Sequence, residues 1–372
     1  MITTRQVDST SAHRSSVPGT DLVGVGGDLP AQRAWGIRRS RLRAIGSRRE
    51  LQILIVMVVI VVVSGVADPD FLSSRIISST FIAAMVTAFV ALGQAFVMLT
   101  RGIDLSVAPI LGLSAVIVGF AAQDHNLNMW VGLLLGAAIG LVLGLGNAVL
   151  ISLFRIPPII ATLGTFSVYG GLQFVVTGGQ QVNQVPDQYT RYGVATDTLF
   201  PGVPVLLIAG IIATVIAGLV LAYTVFGRNV YATGDDGEAA FRNGIPTRRI
   251  TFVVYLVCGA FAGIAGVIYL MRTGSADSLT GTQTNENLNA IAAALIGGVA
   301  LTGGRGTALG AFLGGIFLSL TLSSMGIAFG IPNEWQPAGV GVLILLAVVA
   351  DPRARSAGLT RLRTFRLRRS TR

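Results

Sequence analysis

Ten apolar segments follow one another between Leu51 and Ala350, separated by short polar connections, and they decide what this chain can fold into. About 20 apolar residues in an α-helix cross a hydrocarbon core of roughly 30 Å, and inside that core backbone N–H and C=O groups cannot rely on water for partners. The segments run approximately over 51–67, 76–99, 105–122, 129–153, 157–176, 203–226, 250–271, 287–301, 308–329 and 337–350. They predict an all-α fold, a polytopic membrane helical bundle of about ten transmembrane helices. Segments 287–301 and 337–350 are short for full crossings, which suits helices that are tilted, broken or buried among others. Pro157 and Pro158 stand at the first turn of a span, where a missing N–H costs least.

Charge then sets the orientation. Residues 33–49 carry seven Arg directly before the first apolar run, and residues 353–372 carry eight after the last. Basic flanks stay on the cytoplasmic side, so both termini are expected there, which an even number of crossings allows. The connections agree: those expected outside hold Asp68, Asp70, Asp124, Asp187, Asp197, Asp277, Glu286 and Glu334, whereas residues 227–249 hold Arg228, Arg242, Arg248 and Arg249. The net charge of +10 is therefore sorted by side of the membrane and does not mark a nucleic-acid surface. Residues 1–49 read as a disordered, basic cytoplasmic tail, 50–351 as the membrane domain, and 352–372 as a second basic cytoplasmic tail; contact of the tails with membrane lipid is compatible with this. Gly65 and Ala67 lie at a cleavage-like spacing, but the long polar leader and the length of the first run favour an uncleaved first span.

Composition removes whole classes of chemistry. All 27 basic residues are Arg, so the Lys of a phosphate-binding loop is missing and no nucleotide-binding motif is expected on this chain. One cysteine, Cys258, and two histidines, His13 and His125, leave little for a disulfide, a metal site or a Ser-His-Asp triad. The expectation is a non-enzyme with no metal and no cofactor of its own.

Against this background the polar island from Gly227 to Ile245 stands out between two apolar segments. Asp235 can cap a short helix with Glu238 three residues on, Glu238 and Arg242 are spaced i, i+4, and Gly244 supplies a stop. Ala239 and Ala240 keep the surface low, and Phe241 is the one bulky apolar residue. A second polar feature is the turn Thr100-Arg101-Gly102-Ile103-Asp104-Leu105-Ser106-Val107, where Asp104 can cap the following helix and Gly102 can permit the reversal. Thr302-Gly303-Gly304 is a faint echo of Thr100-Arg101-Gly102, too short to mean much in a Gly-rich chain.

These blocks resemble the permease subunits of ribose-type, monosaccharide ABC importers. The island, with Tyr231-Ala232, Gly234 and Glu238-Ala239-Ala240 closing on Gly244-Ile245, is similar to the cytoplasmic coupling loop of that family, although Asp235 and Asp236 stand where a Gly/Asn-type pair is more usual. The Thr-x-Gly-Ile-Asp-Leu-Ser-Val turn is similar too, with Arg101 and Ala108 in place of the commoner Gly. So are Arg155-Ile156-Pro157-Pro158 running into Ile160-Ala161-Thr162-Leu163-Gly164-Thr165, Asn289-Ala290-Ile291-Ala292 through Gly297-Gly298 to Gly303-Gly304-Arg305-Gly306-Thr307, and Trp335-Gln336 leading to Asp351. The resemblance spans about residues 50–351. It implies a bacterial cytoplasmic-membrane permease paired with a separate ATPase that carries the ATP and Mg, a second permease copy or paralogue, and an extracytoplasmic solute-binding protein. It also implies that Gly234, Asp235, Asp236, Glu238, Ala239, Ala240, Phe241, Arg242 and Gly244 form the ATPase-coupling loop.

A neutral polyol would move past uncharged polar side chains, and Gln94, Asn147, Thr162, Thr165, Gln173 and Asn289 are the candidates within the spans. Interhelical hydrogen bonding is the alternative role for each. The outside loop 177–202, with Gln180, Gln181, Asn183, Gln184, Tyr189 and Tyr192, would suit a surface that receives a solute-delivering protein. An ion-gradient-driven transporter is the competing reading, disfavoured because Asp104 is the one clear acid near the spans.

Overall fold

The computed structural model describes residues 48–193, 198–200 and 203–350, so both basic tails lie outside the described residues apart from the backbone of 48 and 49. The helices run α1 (Arg48–Ala67), α2 (Ser74–Leu99), α3 (Val107–His125), α4 (Met129–Ser152), α5 (Pro158–Thr177), α6 (Asp187–Gly193), α7 (Val205–Tyr223), α8 (Val225–Asp235), α9 (Gly237–Arg242), α10 (Thr247–Thr273), α11 (Glu286–Ile296), α12 (Ala308–Ser323) and α13 (Gln336–Ala350). A π-helical turn, Ser324–Ala328, extends α12, and a small antiparallel hairpin pairs Thr198–Phe200 with Val203–Pro204 before α7.

Eight helices among the described residues are long and apolar enough to cross a membrane: α1 to α5, α7, α10 and α12 with its π-helical extension. The two short segments of the sequence become shorter apolar helices, Glu286–Ile296 and Asn333–Val349. The first ends at Gly297-Gly298, where Gly298 turns to φ +94° and stops the helix. The expected span over 203–226 also breaks, because the Thr224 hydroxyl accepts the Gly227 N–H at 3.0 Å and starts α8 as a separate helix.

α2 is the axis of the bundle. Its most apolar window is 94% buried, so it faces protein on all sides, whereas α1, α4, α5 and α7 each turn rows of Val, Leu and Ile outward as a lipid-facing surface would require. α10 packs against α2, α3 and, most extensively, α4. The α4–α10 seam is built from small residues: a Cβ on Gly140 would lie 2.1 Å from the Gly259 carbonyl oxygen, and one on Gly263 would lie 2.0 Å from the Gly136 oxygen. Backbones this close gain packing contacts that larger side chains would prevent, which is what drives helix association where lipid is as apolar as protein.

Candidate functional site: a clasped loop and a polar cavity

The polar island folds as two helices meeting at an acid. α8 continues through Asp235, so the cap of α9 falls one residue later than the sequence spacing suggests: Asp236, in extended conformation, accepts the N–H groups of Glu238 and Ala239 through Oδ1, both at 3.0 Å. The Ala239 bond first, then that of Glu238 and the nearby Arg101 and Arg242 guanidinium groups, hold its carboxyl below the ordinary Asp range despite some opposing desolvation. At the far end Gly244 takes φ +81°, and the Ile245 N–H bonds the Ala240 carbonyl while the Gly244 N–H bonds that of Phe241. That paired closure is what a left-handed residue after a helix provides. Glu238 and Arg242 form an exposed ion pair on the same turn.

Exposure divides the candidate contact residues. Phe241 is 68% exposed and lies beside Glu238, Ala239 and Arg242 on the free surface. Ala240 is only 5% exposed and faces the body of the protein, so it cannot help keep the outer surface low as its sequence position suggests. Gly234 is buried as well.

Gly234 is where the island is fastened. A Cβ there would lie 1.7 Å from the Leu99 carbonyl oxygen and 2.6 Å from the Gly304 nitrogen, and the Gly304 N–H itself donates to the Leu99 carbonyl at 2.9 Å. Arg101 closes the contact, donating from Nε to the Gly234 carbonyl at 2.6 Å and from its other arm to the Asp235 carbonyl. The two turns that echo each other in sequence, Thr100-Arg101-Gly102 and Thr302-Gly303-Gly304, thus grip the same two residues of the island from two sides. Tyr231 adds a bond from its hydroxyl to the Gly306 carbonyl at 2.8 Å.

The reversal after α2 is made differently from the expectation. Arg101, not Gly102, takes the left-handed conformation, at φ 67°. The Gly102 N–H reaches back to the Val97 carbonyl and the Arg101 N–H to that of Met98, closing the helix end. Gly102 is needed for space: a Cβ on it would meet the Tyr255 hydroxyl at 2.5 Å.

Beyond this turn the polar side chains inside the spans converge. Asp104 does not cap α3 through its side chain; Ser106 occupies the cap position. The Asp104 Oδ1 instead accepts the Ser106 N–H at 2.9 Å and its hydroxyl at 2.6 Å. Asn147 donates to the Ser106 Oγ at 2.7 Å and to the Asp104 Oδ2 at 3.4 Å, and accepts from the Thr165 hydroxyl at 2.6 Å. Gln94 pairs with the backbone of Asp104, donating to its carbonyl at 3.2 Å and accepting its N–H at 3.1 Å. Thr162 donates to the carbonyls of Pro158 and Ile103. Gln173 stands apart, donating to the Asp277 and Thr280 carbonyls and so tying α5 to the connection before α11. These five side chains are buried and engaged with protein.

Asn289 alone of the six lines a cavity of ≈ 970 Å³. The cavity lies between α2, the start of α11, the π-helical turn and the start of α13, and Thr87, Arg272, Glu286 and Ser319 contribute to its wall. Thr87 precedes Leu99 by twelve residues, about 18 Å along α2, so the cavity sits well above the clasped loop, toward the connections expected outside. Glu286, at the end of a connection expected outside, is 8% exposed, in the first turn of α11. In the loop 177–202, Gln180, Gln181, Asn183 and Gln184 are exposed, but Tyr189 is fully buried with its hydroxyl toward the Asn128 carbonyl at 3.5 Å, while the Tyr192 side chain lies outside the described residues.

A multi-pass helical bundle of this build, with a fastened loop at one end and a polar cavity toward the other, is a membrane transport component in class. The chain matches, over residues 76–348, the family described as branched-chain amino acid transport system / permease component. It belongs to that permease family, and is a multi-pass protein of the bacterial cytoplasmic membrane. It is 34% identical to the Autoinducer 2 import system permease protein LsrC of Photorhabdus luminescens, over 85% of this chain and 93% of that protein. The LsrC proteins of Salmonella typhimurium (strain LT2) and Escherichia coli (strain K12) are 33% identical over 85% of this chain, covering 89% and 90% of their own lengths. No solved structure matches the chain.

Proposed function

We propose that this chain is the membrane-spanning subunit of an ATP-driven importer for a small polar solute of the autoinducer-2 or monosaccharide class. The observation that carries the reading is its likeness, along most of its length, to permeases named for autoinducer 2 import. In this reading a separate ATPase, holding ATP and Mg, docks on the exposed face of α9 formed by Glu238, Ala239, Phe241 and Arg242. A second permease copy or paralogue completes the pair, and an extracytoplasmic binding protein delivers the solute. The clasp supports this assignment mechanically: force on α9 is delivered through Gly234 and Arg101 to the end of α2, the buried helix against which α7, α10, α11 and α12 pack. Asp104, the acid on which an ion-driven reading would rest in the sequence, is enclosed by Ser106 and Asn147 and stands outside the cavity lining.

The test is uptake by vesicles that contain the chain with its partner permease and ATPase, with binding protein outside and ATP inside. Autoinducer-2 or D-ribose accumulates only with ATP, and Phe241→Asp abolishes accumulation. Uptake driven by an ion gradient with no ATPase present contradicts the proposal.

A further inference from the structure

The cavity wall contains an acid whose surroundings call for a ligand. Glu286 is buried, yet among the described residues no salt bridge neutralises it. The Thr87 hydroxyl donates to its Oε2 at 3.2 Å and the Asn289 amide to its Oε1 at 3.4 Å; the Thr284 side chain also bonds the carboxylate and the Arg272 charge acts on it from the same wall. A carboxylate has room for about four donors, and an acid that is buried with part of that capacity unused is costly. Ser319 is buried on the same wall. The opposite wall is apolar, with Leu288, Leu322, Val340 and Ile344, and the π-helical turn Ser324–Ala328 forms one edge. π-helical turns inside α-helices are frequent at functional sites. At ≈ 970 Å³ the space is at the large end for small-molecule sites, which combine apolar walls with a few placed polar groups.

We propose that this cavity binds a small uncharged polyhydroxylated solute, with the Glu286 carboxylate accepting two adjacent hydroxyls and Ser319 and Asn289 completing the polar contacts. The inference rests on the import reading above and adds the place and the chemistry. Hydroxyl donors supply what the carboxylate lacks, and hydrogen bonds to a charged acceptor are roughly twice as strong as neutral ones. Thr87, Asn289 and Ser319 are all neutral, so they fit hydroxyl groups better than the fixed opposite charges of an amino acid. Arg272, the cation on this wall, is exposed.

The experiment uses the assembled transporter in vesicles, with autoinducer-2, D-ribose and L-leucine as probes. Glu286→Gln keeps the shape and removes the charge; it raises KM for the hydroxylated probe about tenfold, as the loss of one charge-assisted bond would. Ser319→Cys gives a second readout that needs no loss of function. Because Cys258 is buried, a membrane-impermeant thiol reagent reports on position 319, and the transported probe slows its labelling. Native KM in Glu286→Gln with labelling of Ser319→Cys unaffected by solute overturns the cavity assignment and leaves the import reading standing. A Cys at 319 that stays unreactive in the assembled transporter, covered by the second permease copy, overturns it as well. ATP-driven uptake of L-leucine alone overturns the hydroxylated-solute chemistry. Failure of any ATPase to join the complex removes the import reading and this inference together.

Discussion

Arg101 does two things that pull in opposite directions. It holds a left-handed backbone that costs an ordinary residue roughly 1 kcal/mol, and it spends its guanidinium on two carbonyls of the polar island more than 130 positions away in sequence. Arg101→Gly should therefore leave folding intact, with the melting temperature unchanged or raised in detergent, while ATP-driven uptake falls about tenfold because the clasp to Gly234 is gone. Equal loss of melting temperature and uptake would make Arg101 a folding residue only. Asp236 gives a pH signature. Its pKa is lowered in the folded protein, so the stabilisation of α9 is fully present above the ordinary Asp range and is lost as pH falls through the lower, folded-state pKa. Amide exchange at Glu238 and Ala239, corrected for intrinsic rate, should stay slow from neutral pH down past the usual Asp pKa and then rise; Asp236→Ala should show fast exchange at all pH values. The sequence carried the grammar of this cap but placed it at Asp235, because nothing local says that α8 runs on to that residue.

At the scale of elements, the long apolar segments were legible because a helix in lipid must be both long and apolar, and α2, α3, α4, α5 and α10 lie close to where hydropathy puts them. Their partners were not legible. The glycines of α4 and α10 announce close packing without saying which helix approaches, and Gln94, Asn147, Thr162 and Thr165 read as possible cavity residues although they close around Asp104. The echo between residues 100–102 and 302–304 carried little weight as a string; its meaning is spatial, since both turns grip Gly234 and Asp235. The seam predicts its own sensitivity. Gly140→Leu forces a side chain against the Gly259 carbonyl and should cost about 3 kcal/mol or more, read as a lowered melting temperature in detergent. Gly164→Leu, where a Cβ meets nothing within 4 Å, should be tolerated.

At the scale of the whole molecule, a single buried helix joins an exposed helix surface at one end to a polar cavity toward the other. Phe241 is the exposed anchor at the first, Thr87 and Glu286 mark the second, and α2 runs between them. Chain-wide charge sorting sets an expectation for the side of the polar island, and the missing lysines one for a nucleotide site on another chain; neither could say that Ala240 turns inward or that Glu286 is buried. The most direct measurement is the affinity of the partner ATPase for the purified native chain, compared with Phe241→Asp and with the charge-reversed Glu238→Arg, each checked for native melting. The account predicts tight binding to the native chain and at least about tenfold weaker binding to both variants, a loss of 1.4 kcal/mol or more. Equal affinity for all three would contradict it, because α9 would then be no docking surface and the clasp behind it would have nothing to transmit.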